Sequence, residues 1–300
     1  MQKILRFLSK HGINSVGDEI MTEYRYRSLN MDLFHIVDEA PEQKNYVVHT
    51  HIYFQISYLM RGKCTYHVEG SEYPMNPGDI VILYPQETHY IEIDPNYPCD
   101  RVSINFGPVF FKNLDPDAAL HRPFTNREPG RNNYYSGNAF EDIAYQSHFA
   151  GMLAPGNDRF DILIHFIRLL RDIRNAFDRT AYHDSRKDTL ENRVIRYIHH
   201  NLRNPLSLEI LCDKFFVSKS QLYRRFKKAT GTTVSKYVLS KRMLSARQMI
   251  MDKEKATRIY TECGFQDYST FYRAYQRYFG HTPRDDRQDL PTKLRDPIEE

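Results

Sequence analysis

The chain has 300 residues, 41% hydrophobic and 27% charged, enough for about two domains with proper cores and too apolar for a disordered chain. No apolar run approaches the ~20 residues of a membrane span. The N-terminus MQKILRFLSK has no cleavable signal pattern, and Cys64, Cys99, Cys212 and Cys263 form no CxxC pair, so a cytoplasmic protein without membrane contact or Cys-based zinc is expected. Residues 186–300 hold 24 Lys and Arg against 14 Asp and Glu, net +10, whereas residues 1–185 hold 18 against 24, net −6, so a polyanion partner is expected for the C-terminal part alone.

Residues 1–30 carry apolar positions (Ile4, Leu5, Phe7, Leu8) that could form an arm closing over a pocket. From Met31 to Gly107, short apolar runs with period two alternate with turn residues. The runs His51–Met60, Cys64–Val68, Ile80–Leu83 and Val102–Phe106 read as strands of an antiparallel barrel or sandwich, broken at Arg61-Gly62, Glu69-Gly70, Asn76-Pro77-Gly78 and Asp94-Pro95. His49, His51, Tyr53 and Gln55 alternate and would share one face of a strand, with His89 following the turn at Pro85–Thr88. Such a set offers hydrogen-bonding groups beside aromatic faces and suits a small polar ligand such as a sugar. Three histidines could also hold a divalent metal, or could be plain structural residues.

Residues 121–138 are polar with Pro and Gly and read as a long loop. Phe160, Leu163, Ile167, Leu170, Ile173 and Phe177 then recur at helical spacing, so Arg159–Asp178 is a helix with an apolar stripe. That stripe either packs on the β domain or pairs with its copy in a homodimer. The polar segment Arg179–Lys187 marks a linker between a domain at 1–180 and one at 186–300.

The C-terminal part contains a repeat. Ser218–Thr233 and Asp267–Thr282 align without gaps at an offset of 49, matching Ser220 with Ser269, Tyr223 with Tyr272, Arg224 with Arg273 and Gly231 with Gly280. Ser218 and Asp267 are good N-caps, and the two glycines fall where a helix should stop. Leu222/Phe226 and Phe271/Tyr275, each i, i+4, fix the buried faces. A short helical stretch precedes each copy, Ser207–Lys214 and Ala256–Cys263, giving helix, tight turn, helix twice over. The outward set is Ser218, Lys219, Ser220, Tyr223, Arg224 and Lys227 in the first copy. In the second it is Asp267, Ser269, Thr270, Tyr272, Arg273 and Gln276. Arginine near the start of a recognition helix can grip guanine edges, and lysine further along can hold phosphate, so these residues are the candidate DNA contacts.

Residues 205–287 resemble the AraC/XylS family DNA-binding domain. The linking-helix pattern appears as Arg242, Ala246, Met249 and Ile250, and the closing signature as Gly264-Phe265, Phe271, Tyr275, Gly280 and Thr282-Pro283. The chain departs from the pattern at Cys212 and Tyr260, where a small residue is usual. It departs again at Phe216, where Gly is usual, and near Asp286, where an aromatic is usual. The resemblance implies seven helices with two helix-turn-helix units, double-stranded DNA as partner, and RNA polymerase as a second partner if the protein activates. It also implies a cupin-like β-barrel sensor at the N-terminus, so the fold class is α+β multidomain: barrel, then helices, then an all-α domain. The cupin pattern HxHx3E with a later His is matched by His49, His51 and His89, but Gln55 replaces the carboxylate. The expected protein is therefore a ligand-responsive, sequence-specific regulator and not an enzyme. No catalytic residue, cofactor or metal is assigned, and His49, His51, Tyr53, Gln55 and His89 bind the effector. The alternative is a metal-dependent cupin enzyme fused to a DNA-binding domain.

Overall fold

The structure, a computed structural model, describes residues 20–28, 31–107, 110, 115, 117–140, 144–179 and 188–288. Residues 1–19 of the expected N-terminal arm, with Ile4, Leu5, Phe7 and Leu8, and most of the linker fall outside these. Among the described residues there are nine strands: β1 (Ile20–Arg27), β2 (Met31–Asp38), β3 (Phe54–Arg61), β4 (Cys64–Val68), β5 (Ser71–Met75), β6 (Ile80–Leu83), β7 (His89–Ile93), β8 (Cys99–Phe106) and β9 (Tyr134–Tyr135). They form a six-stranded sheet ordered β1-β2-β8-β3-β6-β9 and a three-stranded sheet ordered β5-β4-β7, with every pair antiparallel. Leu59, Tyr66, Val68, Tyr73, Met75, Val81, Leu83, Ile91 and Ile93 fill the space between the sheets. The outer face of the large sheet is covered too. Ile56, Tyr58, Ile80, Ile82, Val102 and Ile104 pack there against helices, so β6, buried on both faces, reads as a continuous apolar run.

The first helices are α1 (Arg122–Thr125), α2 (Ala144–Leu153) and α3 (Arg159–Arg179). Within the expected loop 121–138 the structure has α1 and β9, a difference with a clear cause. Arg127 and Glu87 form a buried bidentate ion pair at 2.7 and 2.6 Å, Gly130 N donates to Glu87, and Asn133 donates to Glu87 and the Ile82 carbonyl. Polar residues here are ties across the barrel wall, not solvated loop. In α3 the face against the sheet is Ile162, Phe166, Leu169, Leu170, Ile173, Ala176 and Phe177. Phe160, counted in the expected stripe, is 57% exposed, and Ile164 is 49% exposed. The helix thus carries two apolar faces, and the sheet covers only one.

From Thr189 onward the chain is helical: α4 (Leu190–His200), α5 (Leu208–Phe215), α6 (Lys219–Thr230), α7 (Val234–Met251), α8 (Ala256–Glu262), α9 (Tyr268–Phe279) and α10 (Pro283–Gln288). The caps explain the boundaries. Thr189, Ser207, Ser218, Thr233 and Asp267 each accept from a backbone N–H three residues on. Gly231 (φ 72°) and Gly280 (φ 80°) turn left-handed to end α6 and α9. Helices α4 to α7 enclose one core around Leu211, Leu222, Phe226 and Tyr237. A second core, around Ile259, Phe271, Tyr275 and Phe279, shares α7 with the first. This 18-residue helix spans roughly 27 Å and holds the two units at a fixed separation.

Candidate DNA-reading face and effector site

Helices α5–α6 and α8–α9 are the two helix-turn-helix units. Leu222, Phe226, Phe271 and Tyr275 are fully buried, which turns the opposite faces of α6 and α9 to solvent. On α6, Ser218, Lys219, Ser220, Tyr223, Arg224 and Lys227 are exposed; on α9 the exposed residues are Asp267, Ser269, Thr270 and Arg273, with Tyr272 half-buried. Lys219 pairs with Glu209 at 2.8 Å, and Lys227 lies 5.8 Å over the Tyr223 ring. Asp267 caps its helix by accepting from Thr270 N and Oγ1, both at 2.8 Å, and these bonds hold its carboxyl below the usual range. Arg225, beside Arg224 in sequence, faces the other way and grips Glu191 of α4 at 2.5 and 3.0 Å. Arg242 donates to the Leu202 and Asn204 carbonyls at 3.0 and 2.8 Å.

The departures from the family pattern are absorbed locally. Cys212 is buried, and Tyr260 lies half-buried against the second core with its ring 6.2 Å from that of Tyr268. Asp286 accepts from Arg247 (3.2 Å) and from the Tyr275 hydroxyl, a polar anchor in place of an apolar one.

In the barrel, His49 bridges to His89 through paired backbone bonds of 3.0 Å, but residues 52–53 bend and β3 begins only at Phe54. The strict alternation expected from His49 to Gln55 is therefore broken. Tyr53 packs against the second helical core while its ring stays 6.0 Å from that of His51, and His49, His51 and His89 cluster with ring centroids 4.2 to 6.0 Å apart. Gln55 Oε1 lies 2.8 Å from His51 Nε2, and Gln55 Nε2 donates to Ser103 at 3.0 Å. Deeper in, Ser57 meets the Tyr66 hydroxyl, and the buried Arg101 guanidinium lies 5.8 Å from the Tyr46 ring. A polar line thus runs down an apolar barrel. Burial and the two neighbouring histidines push the His89 pKa well below its ordinary value, so the ring is neutral at pH 7.

The mouth of this barrel abuts the helical domain. Ile52 is buried in the second helical core with Met243 and Leu244. Lys241 of α7, fully buried, reaches into the barrel domain and donates to the Glu69 carboxylate and to the Gln86 carbonyl. Glu69 also accepts from the Tyr237 hydroxyl and, at 2.5 Å, from Thr88 N. Burial alone would raise the Glu69 carboxyl, but Lys241 and His199 outweigh it and hold it at about 2. Sequence reasoning took Glu69-Gly70 only as a turn and passed over Lys241. The available signal was a lysine on the stripe Val234, Tyr237, Val238, Lys241, Leu244, where every other member is apolar or aromatic.

Among the described residues, no helix is long and apolar enough to cross a membrane. A model described as an AraC-like ligand binding domain matches residues 30–132, and one described as a helix-turn-helix domain matches residues 211–289. The XylDLEGF operon transcriptional activator of Pseudomonas putida is 23% identical over 252 residues, covering 77% of this chain and 74% of that protein. The HTH-type transcriptional activator RhaR of Escherichia coli K12 is 24% identical over 259 residues, covering 83% and 89%. Among solved structures, ToxT of Vibrio cholerae is 12% identical with a TM-score of 0.35, over 89% of this chain and 100% of that one. An AraC-type regulator from Chromobacterium violaceum is 32% identical with a TM-score of 0.31, over 33% and 89%. With a ligand-binding β domain followed by paired helix-turn-helix units, the chain belongs to the AraC/XylS family of ligand-responsive, DNA-binding transcription regulators.

Proposed function

We propose that this protein is a cytoplasmic, homodimeric transcription activator that reads its operator through α6 and α9 and answers to a small polar molecule held at the barrel mouth. The domain at 1–180 senses and dimerises, and the domain at 186–300 binds DNA. The observation that carries this reading is the pair of exposed, equivalent faces on α6 and α9, held apart by one rigid helix in the basic part of the chain. Arg224 and Arg273 contact base edges, Ser220, Ser269 and Thr270 support them, and Lys219 and Lys227 hold phosphates. Asp267 sets the start of α9, while Ser218, Tyr223 and Tyr272 border the contact.

His49, His51, Gln55 and His89 offer the effector hydrogen-bonding groups, and Tyr53 joins this site to the helical domain. These groups, with Ser103 and Arg101 below, suit an oxygen-rich ligand such as a sugar. Two relatives are named as transcriptional activators, which supports activation and hence RNA polymerase as a partner. Nothing in the reading calls for catalysis.

The test compares operator with random duplex. Arg224→Ala and Arg273→Ala should each lose roughly 1–3 kcal/mol on the operator and much less on random DNA. Lys227→Ala should weaken both about equally. Equal losses on the two DNAs for Arg224→Ala would remove the base-reading role of the first unit.

A further inference from the structure

We propose that the segment Val47–Tyr53 is the lever that carries the effector's presence to the DNA-reading helices. Val48 and Ile52 are its positioning residues, and each touches one helix-turn-helix unit. The inference rests on the reading of His49, His51, Gln55 and His89 as the effector site and adds how that site is coupled to α6 and α9.

The side chains of this segment part to two sides. His49 and His51 belong to the barrel: the His49 backbone pairs with that of His89 at 3.0 Å, and His51 Nε2 lies 2.8 Å from Gln55 Oε1. Val48 and Ile52 belong to the helices. Val48 lies so close to Gly231, the left-handed residue that ends α6, that a Cβ there would collide with Val48 Cγ2. Tyr90 of β7 flanks the same corner, donating to the Lys228 carbonyl at 3.4 Å. Ile52, 2% exposed, is buried with Met243 and Leu244 of α7 and Phe271 of α9. Among the described residues it is the one fully buried member of that core supplied by the barrel domain, and Tyr53 packs beside it. Four residues of chain, at most about 14 Å when fully extended, thus reach from the end of the first reading helix to the core behind the second.

A second connection runs in parallel. The His51 carbonyl accepts from Gln86 N at 2.7 Å, and the Gln86 carbonyl accepts from Lys241 of α7. Gln86 is held at φ 74°, a left-handed conformation that strains a residue with a side chain. Such strain persists only where the surroundings fix it, and here both the amide and the carbonyl of Gln86 are committed along the route to α7. Packed cores switch between arrangements and do not deform continuously, so a small shift of the histidines is passed on and not absorbed. When His49 and His51 move toward an effector, Val48 shifts at the end of α6 and Ile52 shifts in the second core. The two reading units meet the lever at different points, so their relative setting changes, which the rigid α7 alone would keep constant.

The experiment is a double-mutant cycle on the full-length protein, read as the dissociation constant for a duplex selected by the wild type from random sequence. Gln55→Leu perturbs the effector side and should change that affinity by roughly 5- to 150-fold, the usual range of coupling between two sites. In an Ile52→Ala background the same substitution should change it by less than about twofold. Val48→Ala, milder because Val48 is half-buried, should blunt the response in the same way and secures a folded variant. Ile52→Leu, at constant volume, should restore the wild-type response. A merely structural role for Ile52 would give additive losses. Additive losses in both folded backgrounds, or an affinity that ignores Gln55→Leu, would overturn the proposal. Thermal-shift screening with a panel of monosaccharides tests the effector site by itself. A sugar that stabilises the wild type but not Gln55→Leu, found together with an additive cycle, would keep the effector site and remove the lever.

Discussion

Phe216 turns the chain between α5 and α6 with φ 53° and ψ 49°, a left-handed conformation in which an L side chain is strained by about 1–2 kcal/mol. Its ring is 94% exposed, so no packing compensates. Glycine would relieve the strain and give back roughly 0.5–1 kcal/mol through its greater unfolded-state freedom. Phe216→Gly should therefore stabilise the protein, raising the melting temperature by on the order of 1–3 °C with unchanged secondary structure. A lower melting temperature would mean that the exposed ring has a partner. At this scale the sequence was informative wherever one residue type answers one backbone need: Ser218, Asp267, Gly231 and Gly280 all stand at helix ends as their chemistry requires. It was silent where two distant residues had to meet. Nothing local marks Asp286 as the acceptor for Tyr275 and Arg247.

Helix α3 illustrates the same limit for whole elements. Periodicity alone defined the helix and its amphipathicity, but several apolar positions lay around the axis and only tertiary contacts decided which would meet the sheet. The uncovered face, with Phe160, Ile164 and Ile167 at spacings of four and three, is the candidate dimer surface. Ile164→Arg should convert a sedimenting dimer to monomer at tens of micromolar while leaving monomer stability within about 0.5 kcal/mol, as for an ordinary surface change. A variant still dimeric would move the interface elsewhere. The recognition helices were easier to read because the repeat supplied each with an internal control: two segments sharing caps and core positions must share orientation. The histidine cluster was only half legible. Alternation placed His49, His51, Tyr53 and Gln55 near one another, but not the turn of Tyr53 toward the second helical core, because the bend at residues 52–53 goes with packing against that core.

Across the whole molecule, the acidic part holds the barrel with α1–α3 and the basic part holds the helices from α4 onward, and one fully buried ion pair ties the two together. Because the Glu69 carboxyl is held below its ordinary value, the pair contributes fully above pH about 4.5 and is lost as pH falls toward about 2. Melting temperature measured across that window should fall steeply, and Glu69→Gln should flatten the fall. At pH 7 the same substitution should destabilise the protein by about 3–5 kcal/mol, since Lys241 is then buried without a counter-charge. A pH profile identical in the two proteins would show that other carboxylates govern acid unfolding.

Glu69 belongs to a hairpin of the barrel and Lys241 to the helix that joins the two DNA-reading units. Neither half of the protein is electrically complete by itself. A hybrid made by grafting this barrel onto a relative's DNA-binding half would bury a bare carboxylate unless a base stood at the matching turn of the linking helix, and the reciprocal graft would bury a bare ammonium. The pair therefore acts as a compatibility code between the halves: recombination can shuffle sensors and readers freely only when both letters travel together.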